Sequence, residues 1–223
     1  MSSPKVLFGF HAVGVRLKTA PQSIVEIYFE PTRRDARMRQ FIERAEEAGA
    51  RILDHLLRLG EHDRHLRFGY AASDAQIADY AAQMDFERDE LFGIFNRRLH
   101  LVGLAHLAYL AGTPPRAAEF GVSVARPSRG RGYGDRLFEH AALHARNRGV
   151  DHLLVHALSE NAAMLHILHK AGARIERDGA ESRAWVGLPP ASLASRVEAL
   201  VEDTAAGLDY GLKHATLSAA NDV

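Results

Sequence analysis

The chain has 223 residues, 47% of them hydrophobic, which is enough for one large domain or for a medium domain with a smaller one attached. Lysine plus arginine and aspartate plus glutamate both number 28, so no global positive field exists to hold nucleic acid or an anionic membrane, and any anion site has to be local. Without cysteine there are no disulfides, thiolate metal sites or cysteine nucleophile, and with no signal-peptide order at the N-terminus and no long apolar run the chain is expected to be cytoplasmic, with no membrane partner.

Residues 5–54 alternate in a small βαβα pattern. KVLFGFHAVGVRLKTAP reads as a strand and a helix, SIVEIYFEP as a strand, and RRDARMRQFIERAEEAGARILD as a helix followed by a strand. Residues 55–65, HLLRLGEHDRH, are charged and helical in character. SDAQIADYAAQM predicts a helix N-capped by Ser73 or Asp74. ELFGIFNRRLHLVGLAHLAYL reads as an antiparallel hairpin turning at Asn96 and Arg97. After the Pro-rich GTPPRA come the strand AEFGVSV, the loop RGRGYG, a helix from Asp135 to Asn147 and a buried strand, HLLVHAL. NAAMLHILHKAG is a helix with Gly172 as C-cap, and ARIERDGAESRAWVGLP folds back around Asp178 and Gly179. The tail places Leu193, Val197, Leu200, Val201 and Leu208 along one helical stripe that has to pack on the domain or on a partner, which leaves a homodimer open.

The loop Arg129–Gly134 joins a strand to a helix through three glycines and two arginines. Such a turn leaves backbone N–H groups unpaired at the positive end of a helix dipole, where they favour phosphate; by itself it fits a tight turn with solvated arginines equally well. No Lys-Ser or Lys-Thr follows the last glycine, as a P-loop requires. The hairpin before the strand implies a mostly antiparallel sheet, which excludes a dinucleotide-binding fold. His140 and His144, like His166 and His169, stand at helical spacing, but no H-E-x-x-H or carboxylate partner accompanies them in the sequence. They read as ordinary surface or half-buried histidines, and no metal is expected.

Arg129, Gly132 and Gly134 in order, between that strand and that helix, followed by Asn161 opening a helix that ends at Gly172, resemble the two cofactor motifs of the GNAT acyl-CoA N-acyltransferases. LRFGYAAS and MDFERDELFGIFNRRLHLVGLAHL extend the resemblance toward bacterial protein lysine acetyltransferases, over residues 56 to about 190. The resemblance implies an α/β (α+β) fold, a mixed, mostly antiparallel sheet with helices on both faces. It implies acetyl-CoA as co-substrate and a primary amine as acceptor, on a protein lysine or a small molecule. The backbone of Arg129, Gly130, Arg131, Gly132, Tyr133 and Gly134 would hold the pyrophosphate; Val122 and Val124 would bond the pantetheine amides at a splayed pair of parallel strands; Asn161 would open the second motif. Glu119 matches a general-base position. Leu168 stands where the family commonly has the tyrosine that protonates the leaving thiolate, which leaves Tyr133 and His166 as substitutes, and Ala173 replaces the family's final Phe.

Residues 4–54, with FGFHAVGVRL, SIVEIYFEP and RRDARMRQFIERAEEAGARIL, resemble part of the small RNA-binding domain that precedes SpoU-type ribose methyltransferases. The SAM-binding motifs of such enzymes do not follow, so methyl transfer is not expected. Nine basic and seven acidic residues give residues 1–54 a charge of +2, and RRDARMR could touch phosphates, although a solvated helix end is the favoured reading. The organisation expected is therefore a front α/β segment at 1–55, an N-acetyltransferase domain at 56–190 and an amphipathic tail at 191–223. The alternative is an RNA-binding or acyl-CoA-sensing adaptor with an idle acyltransferase fold.

Overall fold

Six strands form one sheet in the order β1-β2-β3-β4-β6-β5 in a computed structural model that describes residues 51–84, 88–110 and 116–221. The expectations for residues 5–50 lie outside the described residues. Residues 51–57 are helical, so the strand expected at the end of ARILD is absent: Ile52 and Leu56, four apart, are both buried, which is the spacing of a helix face. Next come α1 (Glu61–Phe68) and α2 (Asp74–Ala82), the latter opening on a capping box in which Ser73 accepts from the Gln76 amide and Gln76 accepts from the Ser73 amide.

β1 (Glu90–Phe95) and β2 (Leu101–Tyr109) pair antiparallel, as expected. Their connection is longer than the Asn96-Arg97 turn read from the sequence: Asn96 accepts from the amides of Arg98 and His100, and Leu99 takes a left-handed φ of 56°. β3 (Ala117–Val124) lies antiparallel to β2. A short 3-10 turn (Arg126–Ser128) leads into α3 (Tyr133–Asn147), which starts two residues earlier than the Asp135 expected. Then follow β4 (His152–Leu158), α4 (Ala162–Lys170), β5 (Arg174–Asp178), β6 (Glu181–Gly187) and the long α5 (Leu193–Asn221). Ala171 is the C-cap of α4, with Gly172 just beyond it at φ 69°, and the β5–β6 turn is Gly179-Ala180.

Helices cover both faces of the sheet because the central strands are apolar on both. On one face Leu104 joins Ile52, Leu56, Leu59 and Ile77 in a smaller core. On the other, Ala105, Leu107, Phe120, Leu153 and Val155 meet Leu137, Phe138 and Ala141 of α3 and Leu165 and Leu168 of α4 in the main core. Leu168, at the family's tyrosine position, is fully buried there.

The apolar stripe of the tail does not pack on the domain, one of the two covers expected for it. Leu193, Val197, Leu200, Val201 and Leu208 face solvent, and α5 docks through its other side. Ser195, 1% exposed, donates to Asn147 Oδ1 at 2.6 Å, and Ala199 is buried. At the far end Tyr210 accepts from Arg51, and Lys213 donates to the Phe95 carbonyl.

Leu153 is central in the main core and fully enclosed. Leu153→Ala is expected to cost about 2–5 kcal/mol in chemical denaturation, with the native circular dichroism spectrum retained.

Candidate active site

β3 and β4 run parallel, yet they pair only at Ala117↔His152, Ala118↔Leu153 and Glu119↔Leu154. Beyond Glu119 they part. The parity of β3 fixes what the gap receives. Ala117 accepts from the Leu110 amide and the Ala125 amide donates to Val102, so the odd-numbered residues bond β2. The Phe120 carbonyl and the N–H and C=O groups of Val122 and Val124 therefore turn toward the gap, where Arg129 takes the Val124 carbonyl.

The parting strands meet the start of α3. Gly130 and Gly132 have φ of 73° and 72°, a left-handed conformation in which side-chain-bearing residues are strained. Gly132 is the N-cap and has no side chain to cap with. The first amide of the helix to find an acceptor is Arg136, bonded to the Gly132 carbonyl. The amides from Gly130 through Asp135 have no hydrogen-bond acceptor among the described residues. A 15-residue helix thus presents a bare, positive N-terminus to the gap. A Cβ on Gly130 or Gly132 would touch no protein atom, so the space in front of these amides is open, whereas one on Gly134 would lie 3.1 Å from Ile167 Cδ1 and mark the crossing with α4.

Here lies a cavity of about 370 Å³, floored by Val122, Ser123 and Val124 and walled by α1, the glycine loop and α4. It is lined by Val122, Val124, Arg129, Gly130, Gly132, Tyr133, Gly134, Asn161 and His166 of the residues singled out in the sequence. Arg131 and Glu119 do not line it; both are exposed, and Glu119 stands at the last paired position before the gap. Arg129 is turned inward: its Nε donates to the Val124 carbonyl and its Nη2 pairs with Asp63 at 2.7 Å. That pair draws the rim arginine onto α1 and the strand. Asn161 uses its side-chain oxygen to cap α4 through the Met164 amide. Tyr133 is half-buried and His166 exposed.

Sequence reasoning missed a polar relay on the face of β2 and β3 that packs against α1 and α2. Arg67, on α1, donates to the Tyr80 hydroxyl at 2.7 Å; that hydroxyl reaches His106 Nδ1 at 2.7 Å, and His106 Nε2 reaches the buried Asp89 at 2.9 Å. Arg67 donates to the Tyr80 hydroxyl and leaves that hydroxyl's proton for His106 Nδ1, and burial favours the neutral ring, its own proton on Nε2 toward Asp89. His106 lies opposite Gly121 and its ring shares a face with Glu119. A Cβ on Gly121 would come 2.7 Å from Arg67 Nη2, so only glycine lets the guanidinium lie against the strand, where Arg67 also lines the cavity. Nearby, His55 donates from Nδ1 to the Leu101 carbonyl and accepts at Nε2 from Ser123. None of these groups forms a local motif; only the alternation of β2, with His106 among apolar residues, carried any trace of them.

These features define an acyltransferase of one fold class: a mostly antiparallel sheet, two parallel strands that part, and a helix start stripped of caps at the gap. The acetyltransferase (GNAT) family model matches residues 61–173, half of the chain, and the chain belongs to that family. A second model, RNA 2'-O ribose methyltransferase substrate binding, matches residues 6–55. The GNAT domain of PAT from S. lividans shares the fold at a TM-score of 0.54 and 20% identity, covering 64% of this chain and 86% of that one. The 23S rRNA (guanosine-2'-O-)-methyltransferase RlmB of Bordetella pertussis is 60% identical over 52 residues, 23% of this chain and 21% of that protein. RlmB of Ralstonia nicotianae is 48% identical over 69 residues, 29% of this chain and 28% of that protein. The chain therefore spans between a fifth and a third of the length of these curated relatives.

Burial holds His55 and His106 neutral, with pKa values below the ordinary 6.5, against the opposing pull of the Leu101 carbonyl on the first and of Asp89 on the second. The unfolded chain takes up these protons near 6.5, so their contribution to stability is complete above that pH and is lost as pH falls through the lower folded values. Below about pH 6.5, thermal melts down to about pH 5 are expected to show a falling Tm, with a shallower slope in His106→Gln.

Proposed function

We propose that this chain transfers an acetyl group from acetyl-CoA to a primary amine, on a protein lysine or a small molecule, within a ternary complex. The observation that carries the reading is the row of amides from Gly130 through Asp135 without acceptors, at an uncapped helix start beside a strand edge with free backbone groups. A pyrophosphate supplies the acceptors those amides lack, and the pantetheine amides complement Val122 and Val124 as an added strand would. The acyl group then lies toward the apex where β3 and β4 part, beside Glu119.

The amine attacks as its neutral form. Its lone pair forms the C–N bond at the thioester carbon, the C–S bond breaks, and the proton shed by the nitrogen goes to the Glu119 carboxylate, directly or through one water. Backbone N–H groups at the strand edge stabilise the oxyanion. Tyr133 and His166, both on the cavity wall, are the protein groups placed to return a proton to the thiolate. Arg67 adds positive charge on the α1 side.

A second reading is favoured by the 60% identity of the front segment to a 23S rRNA methyltransferase: that segment carries the acyltransferase to structured RNA. Filter binding to ribosomal RNA fragments is expected to show an affinity that falls steeply with salt, and a flat or absent signal removes this reading.

Titration calorimetry is expected to show one acetyl-CoA per chain. Gly132→Asn, a residue that tolerates the left-handed conformation, keeps the fold and places a side chain over the amides, and should weaken binding at least about tenfold. Glu119→Gln should lower kcat roughly 10²–10⁴-fold with acetyl-CoA affinity unchanged. Wild-type protein that is folded yet binds no acetyl-CoA at high micromolar concentration would sink the proposal.

A further inference from the structure

Away from the cavity, α5 brings to α3 the carboxylate that the sequence around the two histidines lacks. His140 and His144 lie one turn apart on α3 with ring centroids 4.5 Å apart, and Asp203 comes from α5. His140 Nε2 is 3.5 Å and His144 Nε2 3.4 Å from Asp203 Oδ1, and one ligand atom from each of the three lies within 4.8 Å of the others. In a tetrahedron with arms of about 2.0–2.1 Å, two ligand atoms stand roughly 3.3 Å apart. The two measured edges are those of such a tetrahedron.

The opposite nitrogens are held as metal-binding histidines are held. His140 Nδ1 is 2.5 Å from Glu202 and His144 Nδ1 is 3.0 Å from Glu90, so each ring gives its Nδ1 proton to a carboxylate and points the Nε2 lone pair at the common centre. His144 Nε2 is buried and has no hydrogen-bond partner, because its approach to Asp203 does not meet hydrogen-bond geometry. Phe92 packs edge-on against both rings, at 4.8 and 4.9 Å, and fixes their planes. Three carboxylates, Glu90, Glu202 and Asp203, against one guanidinium, Arg148 on Glu90, leave a charge of −2 around the two rings.

We infer that His140, His144 and Asp203 form a binding site for one divalent transition-metal ion, zinc in the first instance, that clasps α5 to α3. The two imidazoles and the carboxylate supply three ligands, and Asp203, 42% exposed, leaves a fourth position open to water. The site is separate from the acyl-CoA cavity and stands whether or not the acetyl-transfer reading does.

The full chain, stripped with chelator, is titrated with ZnCl₂ by calorimetry and with CoCl₂ by visible absorption. The expected result is one saturable zinc per chain, a cobalt spectrum of a four-coordinate centre, and a rise of Tm with zinc. Asp203→Asn and His140→Ala each lower zinc affinity at least about tenfold, and Glu202→Gln, which leaves all ligands in place, lowers it by a factor of about 10–100. Asn147 and Ser195 still anchor α5 in these variants, and circular dichroism checks that they fold. No saturable zinc in the wild type, or equal binding in wild type, Asp203→Asn and His140→Ala, overturns the inference.

Discussion

The loss of pairing between β3 and β4 after Glu119 is the constraint around which the domain is arranged. Parallel strands inside a sheet ordinarily satisfy each other's backbone groups along their length, and an unmet N–H or C=O in a half-buried place costs on the order of 1–3 kcal/mol. Here β4 turns its remaining bonds to β6 and β3 keeps only β2, so one edge of β3 opens inside the molecule. The start of α3 repeats the deficit a few residues later. Two adjacent sets of unspent polar groups, one from a strand and one from a helix, make a place suited to a long ligand with hydrogen-bonding and anionic groups.

Flanking elements hold that place open. Asp63 and the Val124 carbonyl restrain Arg129, Asn161 caps its own helix, and Gly134 lets α3 and α4 cross closely. On the α1 and α2 side of the sheet the chain from Arg67 through Tyr80 and His106 to Asp89 ties α1 and α2 to β2. It runs from a guanidinium to a buried carboxylate that Arg88 also pairs, and burial keeps the histidine between them uncharged. Such a fully bonded relay rigidifies the strand that carries the cleft, and Gly121, lacking a Cβ, lets its arginine lie flat against that strand.

Much of this is legible in the sequence, for a physical reason. Strand periodicity, the N-cap at Ser73, the glycine loop and the Asn161 helix start are local features, and each is found where the sequence put it. What was not legible depends on pairing across long separations. The strand read into ARILD is helical because its apolar residues serve a core supplied by Ile77 and Leu104. The stripe from Leu193 to Leu208 suggested a buried face, but α5 is oriented by Ser195 on Asn147 and by Glu202 and Asp203 on the histidines, polar contacts no hydrophobic period announces. Asp203 could not be matched to His140 and His144 from a list of residues, and neither could Asp89 to His106.

The hydrogen bond between Arg51 and Tyr210 joins residues 159 apart in the chain. The bond ties α5, the last helix, to the helical turn that closes the segment matched by the ribose-methyltransferase substrate-binding model, so the two ends of the described chain are held together across the acyltransferase sheet between them.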